Sequence, residues 1–305
     1  MDSIQKKLLA EVADLHEVPQ GAYSLRINGS LYGKNSSENI EIVAKEDKPG
    51  IDIYVKAGTK NESLHIPVIL SQSGLKELVY NDFHIGEDCD ITIVAGCGIH
   101  NGGDAASEHS GIHAFYVSKN AKIKYVEKHY GQGDGNGENI MNPTTYVELA
   151  ENSHMEMETV QIKGVDSTYR KTIAKVSKNA TLVVHEKIMT HGKQVADTEF
   201  EVELNGENSG THVISRAVAR DQSKQKFLSV IKGNNKCSGH TECDAIIMDN
   251  ATVAAIPEIL AVNPDASLIH EAAIGKIAGE QLIKLMTLGL TEKEAEEEIV
   301  NGFLR

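Results

Sequence analysis

The stretch SKNATLVVHE, residues 177–186, sets Asn179 and the small Ala180 ahead of an alternating apolar run. Asparagine tolerates a left-handed backbone and closes tight turns through its side chain. The alternation that follows is the pattern of a strand with one buried face. The same unit returns as GEDCDITIV (86–94), SKNAKIKYV (118–126), ENSHMEMETV (151–160), MDNATVAAI (248–256) and NPDASLIHE (263–271). A short unit cannot bury its apolar face alone, and repetition along the chain points to copies stacked on one another. The spacing between units varies, so loops of different length join the coils. Helical periodicity is missing between about residues 20 and 265. The expected fold is therefore mainly β: a right-handed parallel β-helix, a β-solenoid with coils about 4.8 Å apart. A β-sandwich is the rival, disfavoured because Asn-Gly hairpin turns are scarce between the units.

Both ends read as helical. Residues 3–17 place Ile4, Leu8, Val12 and Leu15 on one stripe behind Asp2 or Ser3 as a cap. HEAAIGKIAGEQLIKLMTLGL (270–290) puts Ile274, Ile277, Ala278, Leu282 and Leu285 on one face, with Gly289 suited to ending the helix. Thr291 and Glu294 then stand at capping-box spacing. The expected division is an N-terminal helix over 1–20, a β-helix core over 21–268 and a C-terminal helical region over 269–305. Solenoid ends need covering, so these helices are expected to cap them or to form a docking surface.

The 305 residues are 40% apolar and 24% charged, ordinary values for a globular chain able to bury a core. A formal net charge of −14 argues against nucleic acid, which needs a basic face. No apolar run approaches the roughly 18–20 residues of a membrane span, and no polybasic segment or export signal is visible. The expectation is a cytoplasmic protein. Four cysteines in a chain of this length are expected to be free thiols.

Two segments gather potential metal ligands. NNKCSGHTECDAIIM (234–248) holds Cys237, His240 and Cys243. Extended, its two sulfurs would lie roughly 20 Å apart, too far for one ion, and the set is one ligand short of a closed zinc site. In a solenoid, ligands come from neighbouring coils. About one coil later stand His270 and Glu271, so Cys243, His270 and Glu271 offer a thiolate, an imidazole and a carboxylate suited to iron or a cluster edge. The plain alternative is an inert core thiol and a carboxylate at a helix start. GCGIHNGGDAASEHSGIHAF (96–115) holds Cys97, His100, His109 and His113 at metal-compatible spacings, with glycine and serine suggesting a mobile loop. GQGDGNG (131–137) lacks the following helix of a dinucleotide site, and no phosphate loop of the GxxxxGK[ST] type occurs.

From HTECDAIIM through AAIPEILAVNPDASLIHEAAIGKIAGEQLIKLMTLGLTEKEAEEEIVNGFL, the chain closely resembles the core of the SufB/SufD family of iron–sulfur cluster assembly scaffolds. The resemblance continues more weakly through KQVADT (193–198) to IVAGCGIHN (93–101). It implies a right-handed parallel β-helix, no enzymatic activity of its own, and a transiently held iron–sulfur cluster. It also implies pairing with itself as a homodimer or with a SufB/SufD-like paralogue. A SufC-like ABC ATPase would dock on the C-terminal helices near Gln281, Leu282, Leu285 and Met286. Cys243 matches the SufB cysteine of the CD motif, and His270 and Glu271 match its HE pair, which implies that these three hold sulfur, metal or cluster. Cys97, His100, His113, Cys237, His240 and Gln194 are secondary candidates, Gln194 matching a glutamine of the family's internal tunnel. The sulfur-accepting cysteine farther along the SufB β-helix and its tunnel tryptophan have no counterparts here. Two rivals stand beside this reading: a SufD-like structural subunit without a cluster, and a β-helix metalloprotein using Cys97, His100 and His113.

Overall fold

The structure is a computed structural model describing residues 1–304. After helix α1 (Ser3–Ala13) come β1 (Ala22–Ile27), β2 (Ser30–Asn35), β3 (Ile40–Ala44), β4 (Gly50–Val55), β5 (Lys60–Leu70) and β6 (Lys76–Ile85). The middle of the chain forms β7 (Asp90–His100), β8 (Ser107–Val117), β9 (Lys122–Gln132), β10 (Asn139–Met141), β11 (Thr144–Leu149), β12 (His154–Lys163) and β13 (Ser167–Val176). Then follow β14 (Thr181–Thr190), β15 (Val195–Leu204), β16 (Ser209–Ala219), β17 (Lys224–Gly233), β18 (Cys237–Ile247), β19 (Thr252–Ala261) and β20 (Ser267–Gly275). Helices α2 (Gly279–Thr287) and α3 (Glu292–Phe303) end the chain.

From β5 on, successive strands alternate between two ten-stranded sheets, with β10 and β11 counting as one. One runs β2-β1-β5-β7-β9-β12-β14-β16-β18-β20, and the other runs from β19 back to β3, with β10 and β11 sharing one position. Apart from the β1–β2 and β3–β4 pairs, neighbours within each sheet are parallel. A sandwich of hairpins would make them antiparallel. The chain is a β-solenoid of about eight turns, as the repeated units imply.

The turn residues behave as their chemistry dictates. Asp88, Asn120, Asn152, Asn179, Asn208 and Asp249 all adopt left-handed backbone angles, with φ between 54° and 60°. The Asn120 amide donates to Asp88 Oδ1 at 3.0 Å, Asn152 to Asn120, Asn179 to Asn152 and Asn208 to Asn179. This ladder at the corners fixes the stacking register of the coils.

Because the pairing stays in register, side chains form columns. One interior column runs Ile93, Tyr125, Met157, Val184, Val213, Thr241, His270. Its neighbour runs Ala95, Glu127, Thr159, Glu186, Ser215, Cys243, Ala272. The first is apolar until its end, whereas the second is largely polar although buried as far as Cys243.

The terminal helices lie elsewhere than over the open ends. The α1 helix, opened by an Asp2–Gln5 capping box, buries Leu8, Leu9, Val12 and Ala13 against the outer face of the first sheet around β7. Gly96 and Gly98 admit it: a Cβ on Gly96 would stand 2.3 Å from the Val12 carbonyl oxygen, and one on Gly98 3.1 Å from Leu8 Cβ. Gly96→Val is expected to free α1 while leaving the β-sheet circular dichroism unchanged. Limited proteolysis should then cut within residues 1–20 faster than in the parent chain.

At the other end, α3 packs its Val300, Phe303 and Leu304 on the outward residues Met189, Val218 and Ile246. Both helices therefore brace the flank, because that is where outward apolar residues and glycines leave a surface to cover. The expected helix over 270–290 also begins later. Residues 267–275 are strand β20, in register with β18, and the helix starts only at Gly279. The free edge of β18 supplies ladder hydrogen bonds that outweigh the helix propensity of the alanines. Gly289 (φ 101°) and the Thr291–Glu294 capping box fall where expected.

Candidate functional site

The last complete rungs of the solenoid bring Cys243 and His270 to one face. Alternation along β18 points Cys237, Gly239, Thr241, Cys243 and Ala245 inward. Pairing sets His270 beside Thr241 and Ala272 beside Cys243, so His270 also faces the interior, one coil farther on and diagonal to the thiol. Nothing stacks beyond β20, and His270 is half-buried with its Nδ1 unpartnered.

Cys243 itself is fully buried. Burial pushes its thiol up to about 12, helped by the negative charges of Glu186 and Asp244. It lines a cavity of about 10 Å³, with Ser215, Glu186, Gln225, Phe227 and Val253 around it. That volume is at the lower edge of what admits one water. In this conformation Cys243 is a protonated, inert thiol.

Glu271 takes the other face. Strand parity sends it outward beside Glu242, and its Oε2 stands 3.4 Å from Nε2 of His240. Adjacent positions on a strand always face opposite ways. The grouping of Cys243, His270 and Glu271 expected from the stacking of coils is thus divided by the sheet, thiol and imidazole inside and carboxylate outside. Among the described residues no three His, Cys, Asp or Glu side chains are poised around a common metal position.

The secondary candidates separate by the same parity. The segment containing Cys237, His240 and Cys243 is one extended strand, which rules it out as a self-contained metal site. Cys237 is buried and His240 faces outward. Cys97 and His113 point inward and share a small cavity with His109, His129 and Glu127, but His100 lies on the opposite face of β7 from Cys97. His109 and His113 belong to strand β8 rather than to a mobile loop. Gly111 between them is what makes room, since a Cβ there would stand 2.9 Å from His113 Nε2. Burial lowers His113 to about 4, so it is neutral. Gln194 is buried in the turn before β15, its Oε1 accepting from the His191 backbone N–H at 3.0 Å.

Sequence reasoning missed the charged interior. Arg170, Glu127 and Glu186 are each 3% exposed. Arg170 donates to Glu127 through Nη1 and stands 3.9 Å from Glu186. Burial pushes the Glu127 carboxyl up, but Arg170 and His129 outweigh it and hold it well below the usual range. Glu186 has the weaker claim on Arg170. Burial raises its pKa despite Arg170, Ser215 and Thr198, and Ser215 Oγ donates to it at 2.7 Å. Charged residues at inward positions of YVEKHY and VVHEKI were the available signal.

The C-terminal helices carry the remaining candidates. On α2, Gln281 and Met286 are exposed, Leu282 and Leu285 half-buried, and Ile283 and Leu288 are exposed without a covering element. Among the described residues no helix is long and apolar enough to cross a membrane.

Residues 77–303 match the profile of the SufBD core domain of the SUF system for FeS cluster assembly. The chain belongs to the SufBD family. An iron–sulfur cluster assembly SufBD family protein of Archaeoglobus fulgidus is 31% identical over 275 residues, covering 89% of this chain and 72% of that one. Another from Methanocaldococcus jannaschii is 32% identical over 274 residues, covering 88% and 85%. A third, from Staphylococcus saprophyticus, is 29% identical over 210 residues, covering 65% and 43%. The SufBD core thus spans the solenoid from β6 to the end of α3, and Cys243, His270 and Glu271 all fall within it.

Proposed function

We propose that this SufBD protein is the scaffold of a cytoplasmic assembly complex, a homodimer joined at the C-terminal end of the solenoid and served by a SufC-like ABC ATPase. The observation that carries the reading is the place of Cys243: an interior thiol one rung in from an uncovered end, with the unpartnered His270 Nδ1 on the same face. Thiolate is the soft ligand that holds the iron of such a cluster, and imidazole is a recognised companion. Iron and sulfide are substrates here and the cluster is the product passed on.

The open end fits a second copy. Inward-facing Ile259 and Ile274 are 42% and 40% exposed there, and β19 and β20 each present an unpaired edge. Such edges are templates for pairing with another chain. Two copies meeting at this end would bring their Cys243 and His270 sets toward one another. Displacing β20 would uncover the thiol, and ATP hydrolysis by a partner docked on α2, at Gln281, Met286 and the half-buried Leu282 and Leu285, would supply the work. Glu271 on the flank would join only if the terminal strand turned.

Anaerobic reconstitution with ferrous iron and sulfide tests the proposal. The parent protein is expected to take up both and to develop visible absorbance, and Cys243→Ser to lose most of each. Equal iron, sulfide and absorbance in the two would remove Cys243 from the mechanism. The sealed thiol and the outward Glu271 favour the SufD-like structural subunit as the second reading. A chain that co-purifies with the ATPase but takes up no iron would establish it.

A further inference from the structure

On the outer face of the same sheet, opposite the Cys243 interior, stands a second group of donors. The outward column Glu156, Val183, His212, His240, Ile269 places two imidazoles on adjacent strands, and the next column ends in Glu242 and Glu271. The rings of His212 and His240 stack 4.8 Å apart at an interplanar angle of 9°. Their Nε2 atoms are both shielded from solvent and both without a hydrogen-bond partner. Glu271 Oε2 lies 3.4 Å from the His240 Nε2.

An ion pair between His240 and Glu271 accounts for only part of this. It leaves His212 Nε2 orphaned, and a shielded polar atom without a partner costs free energy. It also leaves unexplained why a second ring is held against the first. Two imidazoles and one carboxylate on one exposed face are the donor set of open-coordinate ferrous and zinc sites.

We propose that His212, His240 and Glu271 form an outer-face site for a first-row divalent metal ion. The rings now lie parallel, so a shared ion needs one of them to turn. The second side-chain torsion of histidine is broad, and both residues are half-buried at the surface. Glu242, beside Glu271 in the next column, is placed to add a fourth donor. The site lies across the sheet from Cys243, and its two imidazoles take no part in the cluster reading.

Anaerobic titration of the full chain with cobalt(II), followed by its visible ligand-field bands and by equilibrium dialysis, tests this. One ion per chain is expected in the parent protein and in Cys243→Ser alike. Loss of a partner one shell beyond the ligands costs roughly 10–100-fold in affinity, so His212→Ala and His240→Ala should each weaken binding by at least about tenfold. His212→Asn and His240→Gln, with circular dichroism and the thermal midpoint, separate a lost ligand from a lost fold. No binding by the parent protein at millimolar cobalt, or unchanged affinity in a folded His212 variant, would overturn the proposal.

Discussion

Replacing Arg170 with Met is expected to destabilise the fold by about 3–5 kcal/mol, read as a fall in the urea midpoint. The guanidinium is 3% exposed and donates to Glu127, which is equally buried, while Nη2 reaches the His129 ring at 3.2 Å. Truncation leaves Glu127 an uncompensated charge in the interior, with Glu186 in the next-but-one position of the same column. The double variant Arg170→Met, Glu127→Gln removes that charge and should recover part of the loss. The pH dependence shifts with it. In the parent chain Glu127 is held below its unfolded pKa, so its stabilisation is present above the ordinary carboxylate range and is lost as pH falls. Without Arg170, only His129 and His113 still oppose burial at Glu127, so its pKa rises relative to the parent chain and the variant gains stability relative to the parent as pH falls. The difference between the two chains should therefore narrow from pH 7 to pH 5. A midpoint unchanged in Arg170→Met would mean that the interior column is hydrated rather than dry.

How far the sequence speaks depends on which interaction decides each element. The unit in SKNATLVVHE is local: asparagine takes the left-handed corner, and the next residues alternate, so stacking follows with no further information. The Asn120–Asn152–Asn179–Asn208 ladder repeats one local solution. Residues 267–278 are a different case. IHEAAIGKIAG suits a helix as well as a strand, and what decides between them is the free edge of β18, a partner some two dozen residues away. Reading that segment as a helix start made His270 and Glu271 look like companions. As a strand it must separate them. The docking of α1 was equally hidden, since nothing in GCGIHNGG says which face of a strand a distant helix will cover. The buried Arg170–Glu127–Glu186 group was written in the sequence as charged residues at inward positions, but only strand parity known in advance identifies those positions as inward.

Alkylation of Cys243 in the resting protein is expected to be slower than that of an unperturbed thiol by about a thousandfold or more at pH 8. The thiolate is the nucleophile, and raising the pKa from 9.0 to about 12 cuts its population by that factor before access is considered. Cys237, on the same strand, is 6% exposed and also raised by burial, yet it lies away from Glu186 and Asp244 and should react ahead of Cys243. Cys97 is as sealed as Cys243 but sits on β7, many coils from the open end, with its thiol raised well above the usual range by burial, Glu77 and Glu127. The pair makes a control. If the terminal strand is what moves when the protein works, adding an ATP-loaded SufC-like partner should raise labelling at Cys243, read by peptide mass spectrometry with iodoacetamide, and leave Cys97 unreactive. Equal rises at both would indicate general loosening of the solenoid. No rise at Cys243 would mean that the thiol stays shut throughout, which would remove it from the proposed mechanism.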